Sequence, residues 1–333
     1  MRVVVTQAGT VHTADYPDPE LLPGHILVQT RCSAISPGTE MTAQRRKPEH
    51  PVVLGYSAMG VVQEVGEGVR HIQKGQRVAC YGGPYVRHAE TLLVPKHLAV
   101  PLEDHVDSGE AAFVGLGAIA IHALRQAGLQ FGETVVVVGL GIVGQLVCQI
   151  ANAASYRVIG FDLIESRCAK WESSGSAKAC RSLQEVEAAV REATHNAGAD
   201  AVIVCAGSKE RGLIDSGLDW LRDRGSLVVV GDLKLEFDRE RMFRKEAKLL
   251  ISRAGGPGRY DRSYEKDGVD YPIGFVRWTE GRNMQEYVRL LSEGRLHVGS
   301  LITGRYPLHR IAEAYEQYAH CPQETLGLLV DYS

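Results

Sequence analysis

The stretch ETVVVVGLGIVGQLVCQIANAASYRVIGFD, Glu133–Asp162, decides how this chain is read. It opens on a near-continuous β-branched run, as a strand buried on both faces requires. Apolar residues at helical spacing follow, and then a second strand ends at Asp162. Between the first strand and the helix stand Gly139, Gly141 and Gly144 in G-x-G-x-x-G spacing. The spacing alone is weak in a chain with 36 glycines, but strand, helix and following acidic residue all agree with it. Gly139 permits the tight turn, Gly141 lets backbone approach a pyrophosphate, and Gly144 lets helix and strand pack closely. The helix N-terminus, at Ile142 and Val143, offers its amides to the phosphates. Asp162 is expected to accept hydrogen bonds from the adenosine ribose and to repel a 2′-phosphate, favouring NAD(H) over NADP(H). Arg167, five residues on, either stacks near adenine or weakens that preference. Ala206 in ADAVIVCAG and Gly231 in SLVVVGDL complete the expected cofactor site. The competing reading is a glycine turn in an unrelated α/β domain.

Outward from this unit the texture changes twice. Toward the C-terminus, YRVIGFD, ADAVIVCAG and SLVVVGDL alternate with helical stretches such as GLIDSGLDWLRDRG, which means a parallel sheet covered on both faces. Toward the N-terminus, short β-branched runs (HILVQTRC, VVLGYSAMGVVQEVGEG, GQRVACYGG, AETLLVPKHLAVPL) are separated by Gly, Pro and charged turns. They predict an antiparallel, barrel-like domain. At Ser108 a helix is expected, SGEAAFVGLGAIAIHALRQAGL, with Ser108 as its N-cap. In SAISPGTEM, Ser33–Met41, Pro37-Gly38 is expected to end a strand in a turn. After KLLISRAGG comes GPGRYDRSYEKDGVDYPIGFVRWTEGRN, with little apolar periodicity. The helices MQEYVRLLSEG and LHRIAEAYEQYAH and the strand TLGLLVDY close the chain.

With 333 residues, 44% hydrophobic and 23% charged, the chain is an ordinary globular protein of about two domains. A net charge of −3 gives no electrostatic case for nucleic acid or an anionic membrane. Seven scattered cysteines without a C-x-x-C pair indicate neither a disulfide framework nor a zinc knuckle. The N-terminus, MRVVVTQAGTV, looks like a first strand and lacks signal-peptide features. No apolar run is long enough to span a bilayer. A cytoplasmic location is the expectation.

These features together resemble the medium-chain dehydrogenase/reductase superfamily along the whole chain. GYSAMGVVQEVGEGV, Gly55–Val69, resembles the family's GHE-x-x-G-x-V-x-x-VG-x-GV stretch; GQRVA resembles its GDRV, and PLHRIAEAYE its PL-x-x-I-x-EA. The resemblance implies a GroES-like β-barrel catalytic domain over 1–115 and a doubly wound Rossmann NAD(H)-binding domain over 116–254. A return segment over 255–333 carries a lid-like insertion at 255–283, and an active site is implied between the domains. It also implies a homodimer or homotetramer. The departures matter equally. Ser36 stands where zinc enzymes of the superfamily carry a Cys ligand, and Tyr56 and Ser57 replace the His and Glu of GHE. The four-cysteine loop of the structural zinc is missing as well: no Cys lies between Cys80 and Cys148. The chain is therefore read as a zinc-independent member; zinc on other donors, such as Glu40, Cys32 or His88, is the alternative. SAISPGTE and the 256–284 segment are similar to bacteriochlorophyllide dehydrogenases and to bi-domain oxidoreductases linked to cell-surface sugars. In the latter a second nucleotide-binding domain follows, and a separate partner is conceivable here.

Without a metal, hydrogen-bond donors have to polarise the substrate oxygen. Thr39 matches the relay hydroxyl of the zinc enzymes. Tyr56 either donates to the substrate or fills the space of the zinc. Glu40 is a base, orients Tyr56, or is a helix N-terminal charge. Ser36 and His88 are expected to face substrate. In the insertion, Arg277, Trp278, Thr279 and Asn283 are expected to bind a polar sugar, cyclitol or nucleotide-like molecule; a subunit interface or a solvated loop is the competing reading. The expected activity is hydride transfer between NAD(H) and a secondary alcohol or ketone, probed against two rivals: an enoyl or quinone reductase, and a non-catalytic nucleotide-binding protein.

Overall fold

The structure, a computed structural model, describes residues 1–175, 178–207 and 212–332. The chain divides into two units, Met1–Ala118 with Gly255–Ser333, and Ile119–Ala254, against expected boundaries after 115 and 254.

In the second unit six strands run parallel: Thr134–Val138, Arg157–Phe161, Lys178–Cys180, Ala199–Val204, Leu221–Val229 and Lys248–Ile251. Numbered in chain order they lie 3-2-1-4-5-6, the doubly wound arrangement. Thr134–Val138 is buried at every position, which is why it reads as an unbroken apolar run. Val136, Val138, Val202 and Val204 pack against Val186 and Val190 of the helix Leu183–Thr194 and Ile214 and Leu218 of Leu213–Trp220. Each such side chain contributes about 1.5–3 kcal/mol by leaving water. The last helix is shorter than GLIDSGLDWLRDRG suggests, because Leu221 already begins the fifth strand.

The first unit holds a seven-stranded sheet and a separate three-stranded sheet. Its centre is His25–Ala34, antiparallel to Ser57–Val65, Thr91–Pro95 and Gly327–Asp331. The expected all-antiparallel pattern fails at one edge, where Ile302–Pro307 runs parallel to Gly327–Asp331. The intervening helix Ile311–His320 supplies the crossover that a parallel pair needs. The helix expected from Ser108 is two helices, Ser108–Ala111 and Val114–Ala127, and its cap is Asp107, which accepts the Glu110 N–H at 3.0 Å.

Pro37-Gly38 is not a free turn. The strand ends at Ala34, Ile35 donates its N–H to the Leu328 carbonyl at 3.0 Å, and a helix runs Pro37–Arg45. Proline suits the first helical position because its fixed φ is helical and no N–H is needed there. Ile35 and Met41 anchor this entry in a core with Leu54, Leu308, Ile311 and Tyr315. Segment 255–283 folds onto the same unit: the Gly255 N–H donates to the Tyr81 hydroxyl at 3.0 Å, and a short helix spans Arg262–Glu265. Among the described residues no helix is long and apolar enough to cross a membrane.

Candidate active site

The glycine loop of the second unit is built as its spacing predicts. Gly139 has φ 88°, and a Cβ there would meet the Ala206 nitrogen at 2.7 Å. A Cβ on Gly144 would meet the Gly139 carbonyl oxygen at 1.8 Å. One on Gly231 would meet the Ala206 carbonyl oxygen at 2.1 Å, so the expected site residues Gly139, Ala206 and Gly231 are packed together at the strand ends. Gly141 is different: a Cβ there meets nothing within 4 Å, and Gly141 is the N-cap of the helix Ile142–Ala153. Open space at a helix N-terminus is what a diphosphate fills. Ile142 itself is buried and Val143 half-buried, so they contribute backbone there. Asp162 accepts the Leu140 N–H at 2.7 Å and the Ile164 N–H at 2.9 Å, and Arg167 approaches it at 3.5 Å. The carboxylate thus ties the glycine loop to the end of the second strand. Gln145, not singled out from sequence, bonds the carbonyls of Leu140 and Arg167 and fixes the same loop. The donors, the glycine cradle and the carboxylate fit a nicotinamide dinucleotide.

In the first unit, Ser36, Thr39, Glu40, Tyr56 and His88 come together. The Tyr56 hydroxyl donates to Ser36 Oγ at 2.6 Å. Burial pushes the phenol up to about 12, opposed by its hydrogen bonding with Ser36 and Thr39 and helped by the charge of Glu40. Thr39 is exposed on the first turn of the helix, and Tyr56 is half-buried with its ring edge-on to Tyr81 at 5.8 Å. Of these three hydroxyl residues Thr39 is exposed, Tyr56 is half-buried and Ser36 is buried beneath them.

Glu40 and His88 lie behind it. Glu40 is 2% exposed; Oε1 accepts the Ser36 backbone N–H at 2.7 Å, and Oε2 bonds His88 Nε2 at 3.0 Å and the Tyr315 hydroxyl. His88, expected to face substrate, is fully buried, with Nδ1 bonded to Ser33 Oγ at 2.7 Å. Ser33 continues to the Tyr332 hydroxyl at 2.9 Å. Glu40 reaches Ser36 through its amide and not through its hydroxyl. It holds the loop in place, and among the described residues no side-chain hydrogen bond joins its carboxylate to Tyr56. Tyr315, Tyr332 and Ser33 carry no sequence signal for this role.

Two insertion residues are placed otherwise than expected. Thr279 is fully buried, accepts from Tyr264 Oη at 2.9 Å, and caps the helix Glu280–Ser292 through the Arg282 N–H. Asn283 is fully buried and donates to the Gly255 carbonyl at 2.8 Å. Both hold the segment together and present nothing to solvent. Arg277 is exposed, its guanidinium 3.8 Å from the centroid of the half-buried Trp278 ring.

The donors weighed for zinc are committed elsewhere. Both nitrogens of His88 and both oxygens of Glu40 are hydrogen-bonded inside the protein. Cys32 donates to the Ser108 carbonyl at 3.2 Å, and burial pushes its thiol up to about 12, against the thiolate a metal requires. Among the described residues no three His, Cys, Asp or Glu side chains converge as a ligand set. The residues present do not fit a catalytic zinc.

Comparison with known proteins agrees with this architecture. Residues 22–138 match the alcohol dehydrogenase GroES-like domain family and residues 143–268 the zinc-binding dehydrogenase family. The chain is 25% identical to sorbitol dehydrogenase of Halalkalibacterium halodurans, over 94% of each. It is 25% identical to D-xylulose reductase of Saccharomyces cerevisiae, over 85% of this chain and 82% of the relative. Among solved structures, alcohol dehydrogenase TADH from Thermus sp. ATN1 superposes over the full length of both chains with a TM-score of 0.81 at 23% identity, a likeness of fold.

Proposed function

The chain belongs to the medium-chain dehydrogenase/reductase superfamily, and from that premise we propose that it is a zinc-independent, NAD(H)-dependent oxidoreductase acting on a secondary alcohol or ketone of a polyol. The observation that carries this reading is the Tyr56 phenol donating to Ser36 Oγ, where zinc-dependent members carry metal ligands. The polyol class is supported by the sorbitol dehydrogenase and D-xylulose reductase relatives. NAD(H), when bound, supplies the chemistry of hydride transfer. Gly141 leaves room for the diphosphate, Gly139 and Gly144 allow the tight turn and the close packing behind it, and Asp162 disfavours a 2′-phosphate at the ribose. Tyr56 keeps its proton at working pH; with substrate bound, that single O–H turns from Ser36 Oγ to the substrate oxygen and polarises a carbonyl as a metal would, while the Ser36 hydroxyl, which can donate as well as accept, then donates to the phenol oxygen. Ser36 and Thr39 orient that phenol, and Thr39, being exposed, exchanges protons with water. Glu40 is a positioning residue: with His88 and Tyr315 it holds the Ser36 amide, and so the hydroxyl that Tyr56 needs. Arg277 and Trp278 remain proposed substrate contacts. The test is reductive turnover of a panel of ketoses and a panel of enones, each with NADH and with NADPH. Reduction of ketoses with NADH is expected. Turnover confined to enones would replace this reading by an enoyl reductase, and tight NADH binding without turnover by a binding protein.

A further inference from the structure

Tyr260 does not behave as a packing residue. Its backbone sits at φ 66°, a region that bulky side chains rarely adopt. Such outliers persist only where the surroundings impose them, and they gather at ligand sites. Tyr260 is 57% exposed. The groups that hold it are buried. Its N–H donates to Glu265 Oε1 at 2.9 Å, and Arg259 ion-pairs with that same carboxylate. Arg259 also donates to the Gly83 carbonyl, and its guanidinium lies 4.1 Å from the centroid of the Tyr260 ring and 5.8 Å from that of Tyr81. Glu280, fully buried, stands behind at 4.0 Å from Arg259 Nε. Tyr81 in turn meets Tyr56 edge-on. A continuous stack therefore runs from Tyr56 through Tyr81 and Arg259 to Tyr260. The Tyr260 phenol adds the smallest of the influences that hold the Tyr56 phenol in its protonated form. A strained, exposed aromatic ring has been fixed by a buried ion pair on the same chain of contacts as the proposed proton donor.

We propose that Tyr260 is an aromatic platform beside Tyr56 that selects a cyclic polyol, a pyranose or cyclitol ring, over an open-chain one. The axial C–H groups of such a ring form a flat apolar face. They meet the negative face of an aromatic ring favourably, while the hydroxyls point sideways to polar partners. A flexible open chain presents no such face and loses more rotational freedom on binding. The guanidinium below fixes the Tyr260 ring in advance, which reduces the cost of ordering it.

This inference rests on the polyol reading and sharpens it. The probes are myo-inositol, methyl glucopyranoside and sorbitol, titrated calorimetrically into NADH-loaded protein, where alcohol and reduced cofactor do not react. The wild-type protein is expected to bind at least one ring more tightly than sorbitol. Tyr260→Leu should weaken the ring by roughly fivefold to tenfold and so narrow its advantage over sorbitol, the size expected of one aromatic contact. Tyr260→Phe should keep the wild-type preference; thermal melting of both variants separates loss of the contact from loss of the fold. A wild-type protein that binds sorbitol as well as either ring, or a Leu variant with an unchanged preference, overturns the platform while leaving the polyol reading in place. Failure to bind any of the three overturns both.

Discussion

Ser36 stands at the N-cap of the helix Pro37–Arg45, yet its side chain does not cap it. The hydroxyl accepts from Tyr56 instead, and the backbone N–H of the same residue is held by Glu40. One residue thus joins an accessible donor to a buried anchor. Removing the donor proton should be severe: Tyr56→Phe is expected to lower reductive kcat by about 10²–10⁴-fold, the usual range for a lost general acid, while NADH affinity holds. The pH profile follows from the direction of the shift. A phenol pushed up to about 12 is protonated throughout the neutral range, and its contribution to reduction is lost only as pH climbs toward that value. Reductive kcat should therefore show no ionisation from this group between roughly pH 6 and 10. An essential ionisation near neutrality in stopped-flow or steady-state profiles would assign the donor role to an imidazole instead.

At the scale of elements, the helix Glu280–Ser292 begins with a buried acid. Glu280 is fully buried, and among the described residues no N–H donor lies within hydrogen-bond distance of its carboxyl oxygens. Burial pushes it up to about 9; Arg259 pulls it down, and the adjoining Glu265 pushes it further up. The unfolded carboxyl ionises near 4.5, so between about 4.5 and 9 the folded protein retains a proton that the unfolded chain has released. Stability from this group is full below the lower value and declines as pH rises through the window. Glu280→Gln keeps the shape of the protonated acid and cannot ionise. In urea unfolding it should gain on the wild-type protein from pH 5 to pH 8, by on the order of 1–3 kcal/mol. Parallel stability curves for the two proteins would contradict a protonated Glu280. The motif RWTEGRN was visible in the sequence as a unit, but the roles of its residues were not. Thr279 is expected from sequence to contact substrate, and the donation of the Arg282 N–H to its hydroxyl makes it a helix cap instead. Pro37-Gly38 was ambiguous, since proline starts both turns and helices.

At the scale of the molecule, the parallel sheet was legible because buried strands and amphipathic helices alternate in sequence, and the glycine spacing located the nucleotide loop within it; the 3-2-1-4-5-6 strand order came from the structure. The anchor behind the proton donor was not legible. Glu40 and Tyr315 are 275 residues apart, and Ser33 and Tyr332 are 299 apart, so only the return of the chain to its first sheet brings them together. The motif comparison pointed to lost zinc ligands at Ser36 and Tyr56, and the structure adds that the remaining donors, His88 and Glu40, are bonded to each other. The proposal that a phenol polarises the substrate in place of a metal is tested most directly by reductive turnover measured with the metal content of the same sample. Undiminished turnover with NADH after exhaustive treatment with a chelator, in protein carrying less than stoichiometric zinc, is the expected result. Activity that disappears with the chelator and returns on addition of zinc would contradict it.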